Sequence, residues 1–356
     1  MYGSLWSDLA DVALSGDPLH PGDAIEVLKA PDSELLDILH SAFRVRQAYH
    51  GRSVRVHVLQ NAKLGACPED CGFCSQSSRH DSGVGRAKLQ TVDEIVAGAR
   101  EAAALGAVKY CIVTATRGPS ERDLDTICTA VEQIKAECQI NICTSLGLLK
   151  EGQAERLKAA GVTRFNHNLE SSREYFGEVV TSHTWDDRVA TVQRAKAAGL
   201  EACCGGIMGM GESLDDRVNL AYSLRELEVE SIPVNFLDPR PGTPMADRQR
   251  MTPAECLKTL AMMRFVNPTR DIRIAGGREV NLRSMQVLAL YPANSLFVDG
   301  YLTTPGAGAE HDLQMIRDAG FEVAEMVAAS PLSPPSPASR ASGGASSPAN
   351  AHNDVS

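Results

Sequence analysis

Three closely spaced cysteines are the residues of this sequence best suited to chemistry. Cys67, Cys71 and Cys74 lie in the stretch GACPEDCGFCSQSSRH (residues 65–80), with the spacing C-x3-C-x2-C. Thiolates are ligands for zinc and for iron–sulfur clusters. Three of them leave one position of a four-coordinate site open, and an open metal position is where a substrate or cofactor binds.

Zinc and an iron–sulfur cluster are the two alternatives for these thiols. A tetrahedral zinc site of the Cys3His type would take His80 as its fourth ligand. Structural zinc sites usually combine two close ligands with a second, distant pair, and no such pair stands out in the sequence. We therefore favour a [4Fe–4S] cluster with one iron free of protein ligands.

Composition limits the class of protein. The chain has 356 residues, of which 43% are hydrophobic and 22% charged, as in ordinary globular proteins. A net charge of −10 argues against nucleic acid as a partner. No apolar run long enough to cross a membrane and no secretory signal are found, so we expect a cytoplasmic protein without a membrane partner. In that reducing compartment the ten cysteines are expected to bind metal, act in catalysis or simply be buried.

Three regions are expected along the chain. Residues 1–50 have the apolar spacing of helices, and residues 51–328 carry a repeated strand–helix pattern. Residues 329–356 are rich in Ser, Pro, Ala and Gly, with almost no large apolar side chain. Such a segment cannot bury enough surface to offset its chain entropy, so we expect a disordered tail.

The strand–helix pattern predicts an α/β fold with a parallel barrel. Eight apolar, β-branched runs alternate with helical stretches, which is the number that closes a TIM-type (β/α)8 barrel. The alternative is an open, doubly wound sheet, against which the count of eight decides. The predicted strands are residues 54–60, 109–115, 139–147, 163–170, 201–209, 231–238, 271–277 and 294–300.

Alternation within these strands predicts which side chains enter the barrel. Successive residues face opposite sides of a strand, so apolar Tyr110 and Ile112 would face the helices and Cys111 the lumen. A purely structural lumen would hold layers of Val, Ile and Leu, whereas this one is polar and rich in sulfur. The fifth strand stays open, since Cys203 and Cys204 are adjacent and must face opposite sides. The predicted lumen residues are Cys111, Cys143, Asn166, Asn168, Glu170, Asn235 and Arg273.

The cysteine motif resembles the signature of the radical S-adenosylmethionine (SAM) superfamily, which has an aromatic residue (here Phe73) before the last cysteine and places the motif after the first strand. The resemblance implies that Cys67, Cys71 and Cys74 bind three irons of a [4Fe–4S] cluster. The amino and carboxylate groups of SAM would then chelate the fourth iron. Electron transfer to SAM would yield a 5'-deoxyadenosyl radical.

Within that superfamily the sequence resembles the biotin synthase family over roughly residues 20–325. This resemblance implies a second cluster, [2Fe–2S], held in the barrel by Cys111, Cys143, Cys203 and Arg273. On residue type alone, a buried Arg273 would instead pair with a carboxylate such as Glu170, because arginine is normally a protonated donor. The similar segments are residues 65–79, 109–115, 143–149, 164–170, 203–212, 234–247, 272–279 and 301–306.

The same resemblance implies the ligand contacts. Asn168 and Asn235 would contact the ureido ring of dethiobiotin, which suits amides because a cyclic urea presents donors and an acceptor. Glu170 stands where many family members carry Asp, and either carboxylate can accept hydrogen bonds from ribose hydroxyls. No catalytic residue beyond the cluster ligands is implied. The implied SAM contacts are Phe73, Asn168, Glu170, Gly205, Ile207, Gly209 and Glu212.

The expected activity is therefore radical-mediated sulfur insertion that converts dethiobiotin to biotin, with the sulfur taken from the [2Fe–2S] cluster. The resemblance also implies a flavodoxin- or ferredoxin-type electron donor and a homodimer. One alternative is another radical SAM barrel enzyme with an auxiliary cluster, acting as a mutase or maturase. The other is a zinc-stabilised barrel that binds a ligand without redox chemistry.

Overall fold

The computed structural model describes residues 5–304 and 306–325. Within these ranges two 3-10 helices, Asp32–Glu34 and Arg283–Leu290, accompany twelve α-helices and ten strands. The α-helices are α1 (Leu5–Ser15), α2 (Pro21–Lys29), α3 (Leu35–His50), α4 (Val92–Ala104), α5 (Glu121–Glu137), α6 (Gln153–Ala160), α7 (Phe176–Val179), α8 (Trp185–Ala197), α9 (Leu214–Glu226), α10 (Pro253–Val266), α11 (Arg278–Leu282) and α12 (Ala309–Asp318). The strands are β1 (Ser53–Lys63), β2 (Lys109–Thr114), β3 (Asn141–Ser145), β4 (Arg164–Asn166), β5 (Glu201–Cys203), β6 (Gly206–Met208), β7 (Ser231–Phe236), β8 (Asp271–Ile274), β9 (Ser295–Phe297) and β10 (Glu322–Val323).

Eight strands close into a parallel barrel. They follow the order β1-β2-β3-β4-β5-β7-β8-β9, and β9 pairs with β1 to complete the circle. Every predicted strand coincides with an observed one, so the TIM-type barrel is confirmed. Outside the barrel, β10 extends the edge of β1 through the pairs Ser53–Glu322 and Val54–Val323.

The fifth predicted strand is divided in two. β5 ends at Cys203, and β6 begins at Gly206; both run parallel to β7. Gly205 lies at the break, where a β-carbon would stand 1.9 Å from the carbonyl oxygen of Pro233. Only glycine allows this approach of the two backbones.

Side chains alternate across the strands as predicted. Tyr110 and Ile112 are fully buried in the core between barrel and helices, while Cys111 and Val113 face the lumen. Four surrounding helices begin with the same device, in which a Ser or Thr and an acidic residue three positions later cap each other's backbone N–H groups. These pairs are Thr91–Glu94, Thr184–Asp187, Ser213–Asp216 and Thr252–Glu255.

The N-terminal helices cover one side of the barrel. Helices α2 and α3 pack on α10, and nearly every residue of α10 is buried as a result. Lys258 of α10 donates from Nζ to the carbonyl oxygen of Ala30 (2.8 Å) and to Asp32 (3.0 Å). In the described part of the chain no helix is long and apolar enough to cross a membrane. The predicted tail, residues 329–356, lies outside the described residues.

Candidate active site

Two adjacent cavities open at the carboxyl ends of the barrel strands. The first has a volume of about 240 Å³ and the second about 180 Å³. The first is lined by Cys111 and Asn235, and the second by Cys67 and Cys71. The two share part of their walls, so they form one chamber. The shared residues are Phe73, Cys74, Gln76, Ser145, Asn166, Asn168 and Glu170.

The three motif cysteines lie on the loop after β1, as the sequence predicts. The loop is folded by backbone hydrogen bonds from Cys74 N to Cys71 O (2.9 Å) and from Ser78 N to Cys67 O (2.7 Å). Burial raises the pKa of Cys71 to about 12 and that of Cys74 to about 11. The free thiols therefore stay protonated at neutral pH, and binding of iron would release their protons.

The described residues do not form the Cys3His zinc site that the sequence left as an alternative. Nδ1 of His80 is 2.9 Å from the carbonyl oxygen of Cys74. Across residues 5–304 and 306–325, no three His, Cys, Asp or Glu side chains form a site for a single metal ion. An iron–sulfur cluster makes a different demand, since each thiolate binds a different iron.

Two acidic residues between the first cysteines face inward. Asp70 accepts hydrogen bonds from the backbone N–H groups of Thr181 and Ser182, both at 3.0 Å. Glu69 accepts from Ser182 Oγ and from His183 Nδ1. Residues 181–183 therefore act as a clasp on the cysteine loop.

The lumen holds a second set of thiols beneath the first. Cys111 and Cys143 are register partners on β2 and β3, and both are buried. Cys203 is buried beside Cys143, whereas Cys204 packs in the core on the helix side. The structure thus places Cys203 with the lumen thiols. Soft thiolates of this kind suit an iron–sulfur cluster.

Arg273 completes the lumen set. Its Nη1 lies 3.4 Å from Cys203 Sγ, and its buried Nε has no hydrogen-bond partner among the described residues. Burial alone would lower the pKa of Arg273, but Cys203 and Asp271 outweigh it and raise that pKa. As an iron ligand, Arg273 would have to lose a proton, as the thiols do. The donor set fits a [2Fe–2S] cluster, and the unpartnered Nε is the observation that supports it.

The carboxylate beside Arg273 is not the one that residue type suggested. Asp271, two residues earlier on the same face of β8, lies 3.6 Å from Arg273. Glu170 instead pairs with Arg188, at 3.3 Å. Arg273 therefore has a carboxylate neighbour, as residue type suggested, but it is Asp271 and not Glu170, because Arg188 of α8 pairs with Glu170.

Glu170 and Asn168 lie where the two cavities meet. Glu170 has a left-handed backbone (φ +68°), which is unusual for a residue with a side chain. Its burial raises the pKa of its carboxyl group despite Arg188 and Asn168. Asn168 accepts from Gly205 N (3.2 Å) and donates to Glu170 (3.4 Å). Both side chains are therefore held in fixed orientations toward the chamber.

Asn235 is held just as firmly. Its Nδ2 donates to the carbonyl oxygen of Gly206 (3.0 Å), and its Oδ1 accepts from Gly276 N (2.8 Å). One N–H and one lone pair of the amide remain for a ligand in the first cavity.

The predicted SAM motif at residues 205–212 contributes unequally. Ile207 lines the first cavity, and Phe73 lines both. Glu212 lines neither; its carboxylate accepts from Gly209 N (2.8 Å), Met210 N (2.7 Å) and Arg217 Nε (2.7 Å). That Glu212 contacts SAM stays a prediction; in the structure its carboxylate holds the backbone of its own turn.

Several chamber residues were missed by sequence reasoning. Arg188 and His183 line the second cavity, and Tyr301 the first, where its ring packs at 5.4 Å from that of Phe297. Arg188 is a charged residue in the first turn of α8, and nothing in the local sequence indicates that it is buried. Tyr301 begins the segment of residues 301–306, which resembles the biotin synthase family, and that resemblance was the available signal for it.

Two known protein families match successive parts of the chain. Residues 63–222 match the Radical SAM superfamily, and residues 233–322 match the Biotin and Thiamin Synthesis associated domain. Biotin synthase from Salinibacter ruber is 57% identical over 317 residues, covering 89% of this chain and 88% of that protein. Biotin synthase from Geobacillus kaustophilus is 49% identical over 318 residues, covering 89% and 96%.

Solved structures share the fold at low sequence identity. A methylornithine synthase superimposes with a TM-score of 0.79 at 19% identity, covering 89% of this chain and 97% of that one. The FeFe-hydrogenase maturase from Carboxydothermus hydrogenoformans gives 0.73 at 17% identity, covering 89% and 78%. At these identities the likeness shows the barrel alone.

Proposed function

This chain belongs to the biotin synthase family of radical SAM enzymes, and from that premise we propose which of its residues carry the reaction. The family reaction is sulfur insertion into dethiobiotin, with SAM, a [4Fe–4S] cluster and a [2Fe–2S] cluster as cofactors. The observation that carries the assignment of residues is two separate thiol sets: one lies on the loop after β1, and the other lies in the lumen, where Cys111 lines the first cavity and Cys143 and Cys203 are buried beside it.

The two sets would hold different clusters. Cys67, Cys71 and Cys74 would hold [4Fe–4S], and the lumen residues Cys111, Cys143, Cys203 and Arg273 would hold [2Fe–2S]. When bound, the first cluster with SAM supplies a radical, and the second supplies sulfur. The chain itself separates the two sources by the depth of the barrel and leaves the first cavity between them for the substrate.

The protein side chains would bind and orient the ligands. The fixed amides of Asn168 and Asn235 leave donor and acceptor positions for the ureido ring of dethiobiotin. Phe73 and Ile207 would pack on SAM, with the Glu170 carboxylate accepting from its ribose. Burial of this chamber would keep water away from reactive species.

Iron and acid-labile sulfide on anaerobically reconstituted protein test this proposal. We expect about six irons per chain, four from one cluster and two from the other, and a brown chromophore. Turnover of dethiobiotin to biotin is the second readout. About four irons would contradict the sulfur source that we propose, and a colourless zinc protein would contradict both clusters.

We propose that an acidic electron donor docks over the cysteine loop. Arg79 pairs with Asp70 at 3.8 Å and Arg117 with Glu69 at 3.0 Å; the arginines are 57% and 53% exposed, whereas the carboxylates are 17% and 8% exposed. Arg79 donates to the carbonyl oxygen of Pro68 at 2.9 Å, so its charge stands on the loop itself. In a chain of net charge −10, these two ion pairs turn their positive ends outward close to the cluster ligands.

Arg79→Gln is therefore expected to lower the rate of reduction by a flavodoxin roughly threefold to tenfold at low salt, because a charge at an interface acts mainly on association. Reduction by dithionite should not change. Arg100→Gln, on α4 with a similarly exposed side chain (55%), is the matched control. Equal rates for wild type and Arg79→Gln at low salt would contradict this docking surface.

Three further features are proposals. We propose that residues 1–50 form a helical segment attached to a barrel of residues 51–328, with 329–356 as a tail. A cytoplasmic location is supported by the ten free cysteines, which a reducing compartment preserves. A homodimer follows from the family resemblance, and light scattering during size-exclusion chromatography tests it.

A further inference from the structure

A buried line of hydrogen bonds connects the cysteine loop to the end of β4. It runs from Glu69 to His183 Nδ1, and from His183 Nε2 to Arg188 Nε at 2.9 Å. Arg188 continues it through Nη1 to the carbonyl oxygen of Asn168 (2.8 Å) and to Glu170 (3.3 Å). The side chains of Glu69, His183 and Arg188 are at most 8% exposed.

The chemistry of the partners fixes the tautomer of His183. A guanidinium only donates hydrogen bonds, so Nε2 of His183 must be the acceptor and carry no proton. Its proton is then on Nδ1 and is donated to the Glu69 carboxylate. Burial and the charge of Arg188 lower the pKa of His183, in agreement with a neutral ring.

These contacts leave one direction for the remaining end of Arg188. His183 holds Nε and the end of β4 holds Nη1, so Nη2 is left 3.9 Å from Cys71 Sγ. Phe176 supports this orientation, since its ring centroid lies 5.8 Å from that of His183 and 5.6 Å from the guanidinium. A cation and an N–H donor thus stand against the sulfur of a proposed cluster ligand.

We propose that His183 is a positioning residue, which holds Arg188 against the Cys71 sulfur and so makes the [4Fe–4S] cluster easier to reduce. Hydrogen bonds to the sulfurs and nearby charge set the reduction potentials of such clusters, and a cation stabilises the more negative, reduced form. This inference rests on the proposed role of Cys67, Cys71 and Cys74.

The test is a redox titration of the [4Fe–4S] cluster in the reconstituted full chain without SAM. Electron paramagnetic resonance monitors the reduced cluster at each potential. At the wild-type midpoint potential, His183→Ala is expected to have a ratio of reduced to oxidised cluster about tenfold lower, a shift of about 59 mV for one electron. His183→Gln should return toward wild type, because its amide oxygen can accept from Arg188 Nε.

Ser182→Ala is the matched control, since Ser182 bonds to Glu69 and lies 3.5 Å from His183 Nδ1 but does not bond to Arg188. A merely structural clasp would lower cluster content in both variants without moving the potential. If His183→Ala does not hold the cluster, Arg188→Gln decides, and we expect the same shift to more negative potential.

An unchanged potential in whichever of His183→Ala or Arg188→Gln holds the cluster overturns the inference. It leaves the proposed function standing, because the cluster is then present. A wild-type chain without a reducible [4Fe–4S] signal would instead overturn the proposed function itself.

Discussion

Cys203→Ala is expected to lose about two of six irons per chain and all formation of biotin, while Cys204→Ala keeps both. Cys203 faces the lumen beside Cys143, with Arg273 Nη1 at 3.4 Å, whereas its neighbour packs among apolar side chains on the helix side. The two cysteines are equally buried and adjacent, so they differ only in the direction of their side chains. Iron analysis and a dethiobiotin assay on both variants measure the difference.

An assay of SAM cleavage on the same variants distinguishes an effect on the [4Fe–4S] cluster from an effect on the [2Fe–2S] cluster. We expect Cys203→Ala to retain reductive cleavage of SAM, because the loop with Cys67, Cys71 and Cys74 is untouched. Equal iron content in the two variants would mean that the lumen thiols do not bind a cluster. Loss of iron from Cys204→Ala alone would mean that the iron ligand is Cys204, on the helix side of the strand, and would contradict the assignment of Cys203.

The lumen was predictable where a strand is regular. Alternation placed Cys111 and Cys143 inside because β2 and β3 keep an unbroken period of two. Alternation could not decide between Cys203 and Cys204, because the predicted strand is interrupted there: β5 ends at Cys203, and β6 begins only at Gly206. The family resemblance indicated Cys203, and the structure explains this by the contact with Arg273.

The contacts of Glu69, His183 and Arg188 behind the cysteine loop were not predictable, because distant parts of the chain meet there. Arg188 follows WDD near the start of α8 and has the local pattern of an exposed helix face. It is buried because Glu69 and His183, 114 positions apart, join the cysteine loop to the segment before α8. For Glu212, the motif indicates the carboxylate but not that it binds the backbone of its own turn.

Asp271→Asn is expected to destabilise the protein by about 3–5 kcal/mol, the range found when one partner of a buried ion pair is removed. Asp271 is fully enclosed and lies 3.3 Å from Arg164, 3.6 Å from Arg273 and 3.9 Å from Arg55. Burial alone would raise the pKa of this carboxyl group, but Arg55, Arg273 and Arg164 outweigh it and hold the pKa well below its usual value. Asparagine has the same shape, so the change removes the charge and leaves two buried guanidinium groups less compensated.

Urea unfolding of the cluster-free chain measures this effect without a contribution from bound metal. Asp186→Asn is the matched control, because its pair with Arg173 is largely exposed and should leave the unfolding midpoint unchanged. Equal midpoints for Asp271→Asn and wild type would mean that Glu201, 2.8 Å from Arg164, compensates the buried cations by itself. The expected loss of stability would show that the barrel needs the charge of Asp271 in order to fold. Asp271 orients Arg273, two residues away on β8, before any cluster binds.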